Sequence, residues 1–238
     1  MNDVDTDGYH ERKRLEFAHG ANLHGGMCQN KRKGRAKMSE IQGISKATVK
    51  IEGVSPLLMH NGQLANPQNE WVKQIKEITS KHHSKKTESD ELELMRLEFQ
   101  GGLYYDDEIG PFIPSVNVEG CIRDAAKANR LGQAVTAGVQ VSPDRIKLIY
   151  KGPRGRDELY EDKNHVDARP IKLQKSTTVI RTRPRFDQWA IEFEVMAINE
   201  VIALSNVQKF IEQAGIFKGI GDYKPKFGRF ILKEFKKV

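Results

Sequence analysis

Apolar residues recur at every second position in two parts of the chain. Every second residue is apolar from 47 to 51, and again from 189 to 195. A period of two is typical of strands that bury one face, so both stretches are predicted to be β-strands. Shorter apolar runs near Ile146 and after Phe227 predict two more strands. The four predicted strands are 46–53, 145–150, 189–198 and 227–235.

Other stretches repeat their apolar residues at helical spacing. Val118, Cys121 and Ala125 are spaced so that they would share one face of a helix. Leu204 and Val207 begin a second pattern of the same kind. The helices predicted from this spacing are 115–129 and 204–214, with two shorter ones inside 54–102, which we interpret as a helical insertion after the first strand.

In chain order these elements run strand, helix, strand, strand, helix, strand. This βαββαβ order predicts an α+β domain with the ferredoxin-like topology that RNA-recognition (RRM-like) domains share. We expect one domain spanning 44–238, with a second insertion at 152–188 that forms a basic hairpin before the third core strand. The topology hosts many functions, so it does not by itself indicate RNA binding.

The composition is that of a soluble, moderately basic protein. Lys and Arg number 39 against 32 for Asp and Glu, which gives a net charge of +7. Cys28 and Cys121 are too few and too far apart for a disulfide framework, which favours the reducing cytoplasm. No run approaches the roughly eighteen apolar residues that span a bilayer, so no membrane partner is expected.

Residues 1–43 have no hydrophobic period and carry two basic clusters, so we predict a disordered basic arm. His19, His24 and Cys28 lie in this arm without a fourth ligand or a paired cysteine. Structural zinc sites use four such ligands at short spacings. We therefore expect neither a metal nor another cofactor.

The densest cluster of glycine, basic and aromatic residues is Gly215–Phe230, which we call the glycine segment. It holds four glycines, three lysines, one arginine and four aromatic rings. It lies between a helix and a strand, whereas glycine loops that bind nucleotide phosphates precede a helix N-terminus. We expect it to hold a nucleic-acid backbone, with Tyr223 stacking a base and Phe230 in the core. The predicted contacts here are Lys218, Gly219, Gly221, Tyr223, Lys224, Lys226 and Arg229.

A second basic stretch runs from Arg169 to Arg185 and contains no acidic residue. Arginines without acidic partners are suited to bidentate contact with phosphates, and several together give salt-dependent binding. Two more cations, on the predicted helix 115–129, complete the candidate surface. The predicted contacts outside the glycine segment are Arg123, Lys127, Arg169, Lys172, Lys175, Arg181, Arg183 and Arg185.

Two segments resemble the RAMP superfamily, which includes the backbone subunits of CRISPR effector complexes. Pro111–Arg123 is similar to the family's IPGSSLKGxLR segment, although Val116 and Asn117 replace its Gly-Ser. Gly219–Gly221 followed by Lys226–Phe230 is similar to its terminal glycine-rich loop. The resemblance implies a ferredoxin-like palm, a thumb made by the hairpin, and copies stacked helically along single-stranded RNA. The chain also resembles an uncharacterised protein of tailed phages.

Three functions are compatible with these patterns. The leading hypothesis is a non-catalytic protein that coats single-stranded RNA, or else DNA, as a helical homo-oligomer, with effector or phage subunits as further partners. The second is a RAMP-type endoribonuclease using His60, although the loop 59–67 around it has no acidic residue to assist a general base. The third is a phage structural or assembly protein. The first hypothesis assigns no catalytic residue.

Overall fold

Helices and antiparallel strands make up the computed structural model, which describes residues 43–172 and 178–238. Except for Gly43, the predicted arm lies outside the described residues, as does the predicted contact Lys175. The strands are β1 (Ile44–Gly53), β2 (Leu57–Leu58), β3 (Tyr105–Asp106), β4 (Gly110–Pro114), β5 (Val139–Ser142), β6 (Arg145–Lys147), β7 (Val166–Lys172), β8 (Thr178–Phe186), β9 (Ala190–Ile198) and β10 (Phe230–Lys237). The α-helices are α1 (Glu70–Thr79), α2 (Glu88–Gly102), α3 (Ser115–Ala126), α4 (Gly132–Gly138), α5 (Arg156–Glu161) and α6 (Leu204–Phe217).

The central sheet has four antiparallel strands in the spatial order β10–β1–β9–β5. In the chain, α3 lies between β1 and β5, and α6 lies between β9 and β10. The combination of helices with antiparallel sheets confirms the predicted α+β class. Within the described ranges, no helix is long and apolar enough to cross a membrane.

The alternation that predicted β1 and β9 also determines what these strands bury. Ala47, Val49 and Ile51 of β1 have no exposed surface, and Phe193 and Val195 of β9 are buried in the same core. The apolar faces of α3 and α6 join this core and pack against each other. Because one face of each helix is used for packing, the opposite face of α3 is left for solvent or a ligand.

The second strand of the central sheet is not where the sequence placed it. The predicted strand 145–150 begins with β6, which pairs with β4 in a separate sheet of order β3–β4–β6. β5 takes its place beside β9. Both stretches alternate, since Val139 and Val141 are buried in one and Ile146 and Leu148 in the other. The period alone therefore could not identify the strand that joins the central sheet.

The hairpin predicted within 152–188 is present as β7 and β8. Their antiparallel register runs from Val166 opposite Pro184 to Lys172 opposite Thr178. β8 also pairs with β2, which gives a third sheet of order β2–β8–β7. The predicted insertion after β1 contains α1 and α2, and α2 packs against β8.

The glycine segment folds back onto the main chain around β2. The amide of Asp222 donates to the carbonyl of Leu58 and that of Gly228 to the carbonyl of Pro56, both at 2.8 Å. The amide of Ile220 in turn donates to the carbonyl of Gly228 at 2.8 Å. These bonds fix the loop after α6 against the rest of the fold.

Two glycines make this close approach possible. Gly221 and Gly228 have φ values of +86° and +71°, in the left-handed region that side chains disfavour. A Cβ atom at Gly228 would overlap the carbonyl of Ile220, and one at Gly221 would overlap the carbonyl of Leu58. The sequence suggested that these glycines let a ligand approach closely. In the structure, the group that approaches is the protein's own backbone.

We predict that Gly228→Ala lowers the free energy of unfolding by at least about 2 kcal/mol, because it combines left-handed strain with a backbone overlap. Gly62→Ala is the matched control, since a Cβ there meets nothing within 4 Å and should change stability by less than about 0.5 kcal/mol. Urea unfolding followed by tryptophan fluorescence measures both. Equal stability of the two variants would contradict the packing described for the loop.

Candidate nucleic-acid interface

Three cavities adjoin one another along the exposed face of α3. The first, of about 300 Å³, shares Asp124 and Lys224 with the second, of about 730 Å³. A third, of about 290 Å³, shares Arg123 with the first and Lys127 with the second. We call this continuous surface the α3 trough, and its defining residues are Arg123, Asp124, Lys127, Phe217, Lys218 and Lys224.

Cations outnumber acids in the trough. Arg123, Lys127, Lys218 and Lys224 are exposed, and Arg130 lines the third cavity beside them. Against these five stand Asp124 and the Asp222 carboxylate of the glycine segment. The trough therefore carries a net positive charge of about three, and its shape concentrates that field on whatever occupies it.

Asp124 is the acid that these cations hold in place. Its Oδ1 accepts a hydrogen bond from Lys127 Nζ at 2.7 Å, and Arg123 Nε lies 3.9 Å from the same oxygen. The hydrogen bond from Lys127, with the positive charges nearby, lowers the pKa of Asp124 below its ordinary value. Lys218 and Lys224, in contrast, form no ion pair with any acid of the described ranges.

A hydrogen bond from a buried thiol connects α3 to the glycine segment. Cys121 Sγ donates a hydrogen bond to the carbonyl oxygen of Gly219 at 3.1 Å. Burial raises the pKa of the Cys121 thiol to about 12, so it stays protonated and keeps this donor at neutral pH. Lys218 lies beside the C-terminal end of α3. Cys121, which the helical spacing placed on the same face as Val118 and Ala125, is buried with them.

The hairpin arginines occupy a different environment from the one predicted. Each has a carboxylate partner, which comes from outside the stretch 169–185 that lacks acids. The expectation that these arginines have no acidic partner is wrong, because Asp167 and Asp187 lie just outside the stretch and the fold brings Glu98 and Asp222 to it. The pairs are Arg169 with Asp167, Arg181 with Glu98, Arg183 with Asp222, and Arg185 with both Asp167 and Asp187.

The pair between Arg183 and Asp222 links the hairpin to the glycine segment. Arg183 Nε donates to Asp222 Oδ2 at 2.6 Å, and the arginine is only 8% exposed. A guanidinium this deeply buried and already paired is poorly placed for a phosphate. Its role in the structure is to hold two elements together.

Aromatic rings strengthen the same link. The Arg169 guanidinium carbon lies 4.6 Å from the centre of the Phe227 ring and 5.5 Å from that of Tyr223. Such cation–π contacts stabilise by about 0.5–2 kcal/mol. Tyr223, the predicted stacking residue, is therefore already engaged by the hairpin, although it stays partly exposed. Phe230 is buried, which confirms its predicted place in the core.

The remaining predicted contacts are spread around the trough and the hairpin. Lys172 is exposed at the end of β7. Lys226 has its amine 6.0 Å from the centre of the Phe227 ring. Arg229 is exposed just before β10 and donates its backbone amide to Ser55 Oγ at 2.9 Å. The structure thus gathers Arg123, Lys127, Lys218 and Lys224, with Gly221, around the trough, whereas Arg169, Arg183 and Tyr223 lie together at the hairpin.

His60 lies at the edge of the first cavity. It is exposed, and its backbone carbonyl accepts a hydrogen bond from the Tyr104 hydroxyl at 3.4 Å. The fold brings Asp124 and Asp222 to the same cavity, which supplies the acids absent from the His60 loop. Both carboxylates are already bound to cations. Among the residues that the structure describes, no group of three or more His, Cys, Asp or Glu is arranged to hold a metal ion.

Phe217 and Arg130 are trough residues that the sequence did not single out. Phe217 falls three residues after the buried Ala214 and so continues the apolar spacing of α6, which would place it in the core. It is instead the last residue of the helix and is 66% exposed. No signal in the sequence separates these two outcomes, because helix ends are poorly defined by periodicity.

Comparison with known proteins adds a partial structural likeness. No protein-family model matches the chain, and no curated protein matches it. A chain in the cryo-EM structure of the Type III-B Cmr-beta bound to cognate target RNA aligns with 82% of this chain at 13% identity, with a TM-score of 0.47. This chain spans 61% of the length of that one.

The crystal structure of Cmr6 from Pyrococcus furiosus aligns with 82% of this chain and all of its own, at 11% identity and a TM-score of 0.34. At these TM-scores, neither likeness decides the fold or the function. The resemblance to the RAMP superfamily stays a prediction drawn from the two sequence segments.

Proposed function

We propose that this protein binds single-stranded nucleic acid, with RNA as the first candidate, along the α3 trough and without cleaving it. The observation that carries the proposal is the convergence of Arg123, Lys127, Lys218 and Lys224, from two distant parts of the chain, on one continuous concave surface. Neutralising phosphates with such a surface releases counterions, so binding is strong at low salt and weakens as salt rises.

Shape supports a flexible strand as the ligand. The trough follows α3 from the first cavity, beside Val116, to the second, beside Ala128. Twelve residues of helix rise about 18 Å, which is long enough for several phosphates of an extended strand. Arg123, Lys127 and Arg130 follow one another along the C-terminal half of this path, with Lys218 and Lys224 beside them, so several phosphates of one strand can be bound in turn.

The resemblance in sequence is what favours RNA in particular. The described strands and helices form an α+β fold, with the central sheet in the order β10–β1–β9–β5 and with α3 and α6 as connecting helices, and such a fold hosts many functions. The resemblance to the RAMP superfamily implies RNA as the ligand and copies arranged along it. We therefore propose that several copies bind one strand and that effector or phage subunits are further partners.

The hairpin arginines have a supporting role in this proposal. They hold β7 and β8 against α2 and the glycine segment through Glu98 and Asp222. Glu98 is 6% exposed and also accepts the backbone amide of Thr182 at 2.9 Å. Removing either partner of such a buried pair leaves a charge without compensation. These arginines stabilise the walls around the trough, and the lysines within it contact phosphates.

We predict that Lys127→Glu/Lys224→Glu lowers the affinity for a single-stranded oligonucleotide by at least about tenfold. The salt slope, which is the slope of the logarithm of the affinity against the logarithm of the salt concentration, should become shallower by about two, one for each phosphate contact. The matched control is Lys233→Glu/Lys236→Glu on β10, which changes the net charge equally outside the trough. Fluorescence anisotropy at several salt concentrations measures both variants. Equal losses in the two variants would show that only net charge matters and would contradict a localised site.

His60 carries a second candidate function, a metal-independent ribonuclease activity, because it lies in the first cavity with Asp222 and Lys224. A histidine base needs a partner to protonate the leaving group, and Lys224 is the exposed candidate. We place this function second because both acids of the cavity are held in ion pairs.

We predict that wild-type protein leaves a labelled RNA intact under conditions where it binds the RNA fully. His60→Ala should bind the same RNA with unchanged affinity. Denaturing gel electrophoresis after prolonged incubation detects cleavage. The Lys127→Glu/Lys224→Glu variant shows whether any cleavage depends on binding in the trough. Products that disappear in His60→Ala would establish the ribonuclease instead.

A further inference from the structure

Phe217 is a large aromatic side chain that the fold leaves in solvent. It is 66% exposed, whereas Phe210 on the same helix is 2% exposed. Exposing a phenylalanine ring forgoes about 1.5–3 kcal/mol relative to burying it. Single exposed apolar residues are common and need no explanation, so the surroundings of Phe217 decide whether it matters.

The side chains around Phe217 are partly cationic and partly apolar. Phe217 lines the second cavity of the α3 trough together with Lys127, Lys218 and Lys224. Ala128 and Pro225 complete the apolar lining around the ring. The sole acid among the lining residues is Asp124, which is neutralised by Lys127 at 2.7 Å. An accessible ring surrounded by lysines suits a ligand that combines a flat apolar part with negative charge.

A nucleotide of a single strand has this combination. Its base can lie on the ring while its phosphates meet the ammonium groups, which is how proteins bind single strands without selecting a sequence. The depression is open to solvent and has a volume of about 730 Å³, which leaves room for a nucleotide to lie on its surface. The three lysines argue against an apolar protein surface as the occupant, since docking such a surface would bury ammonium groups without partners.

Resting on the proposed function, we infer that Phe217 is the base-stacking residue of the α3 trough, with Lys218 and Lys224 holding the phosphates on either side of the stacked base. Tyr223, the stacking residue expected from the sequence, is occupied instead by Arg169, Arg183 and Phe227. The stacking site is therefore at the C-terminal end of α6, just before Gly219.

The experiment compares two single strands that have the same backbone, of which only one carries bases. One is an oligonucleotide of about twelve thymidines, and the other is an abasic strand with the same phosphates. Wild-type protein should bind the thymidine strand more tightly by about fivefold or more, the effect of one stacked base. Phe217→Leu keeps an apolar side chain but has no ring, and it should bind both strands equally. Phe217→Trp should retain or increase the preference.

The salt slope separates this inference from the proposed function. Phe217→Leu should leave the slope unchanged, because it removes no phosphate contact. The wild type could bind in a salt-dependent way while Phe217→Leu shows the same preference for the thymidine strand as the wild type. That result would overturn the stacking role of Phe217 and leave the trough as the binding site. Binding by the wild type of neither strand, nor of a single-stranded RNA of the same length, would overturn the proposed function and this inference together.

A sizing column provides the remaining comparison. The elution volume of Phe217→Leu, without nucleic acid, should equal that of the wild type. A smaller species for Phe217→Leu, with an unchanged base preference, would overturn the inference and assign the ring to a contact between protein chains. Because Phe217 is exposed in the structure, its replacement is not expected to affect folding, and a circular dichroism melt confirms this for each variant.

Discussion

The backbone hydrogen bonds between the glycine segment and the strand-entry residues 56–58 are the constraint on which the site depends. They require a loop that turns back sharply after α6, and the left-handed conformations of Gly221 and Gly228 allow that turn. The returning loop carries Lys218 and Lys224 to the side of α3, where Cys121 fastens it by a hydrogen bond to Gly219. A loop that extended freely into solvent would leave α3 with two cations and no enclosing wall.

The charged side chains of this protein have two separate roles, and the degree to which each side chain is buried distinguishes the two. Arg183 and Glu98 are largely removed from water and are paired with opposite charges, so they contribute to the arrangement of the hairpin. Lys218 and Lys224 are exposed and lie beside a concave surface. Only charges of the second kind have a field that reaches a diffusing polyanion. The net charge of +7 is therefore less informative than the position of a few lysines.

Much of the fold could be predicted because alternation and helical spacing reflect burial directly. β1, β9, α3 and α6 were located within a few residues for this reason. The strand beside β9 was misplaced because β5 and β6 are both short and both alternate, and their partners are set by long-range pairing. Of the acids that pair with the hairpin arginines, Asp167 and Asp187 lie two residues outside the stretch 169–185, whereas Glu98 and Asp222 reach it through long-range contacts that no local pattern indicates.

The candidate site could be predicted only in part, because long-range contacts decide which of its residues lie together. Basic residues and glycines can be counted in a sequence, so Arg123, Lys127, Lys218 and Lys224 were among the candidates. Which of them share a surface depends on how the loop returns to α3. Phe217 was counted only among the aromatic residues of the glycine segment, because the predicted helix ended at residue 214; α6 in fact continues to Phe217, which is exposed.

The most direct test of the account is photo-crosslinking of a single-stranded RNA that carries 4-thiouridine, followed by mass spectrometry of the attached peptides. If the strand lies in the α3 trough, the crosslinked peptides come from α3 and from the residues between Phe217 and Lys226. Crosslinks confined to β7 and β8, with none on α3, would contradict the account and return the site to the hairpin.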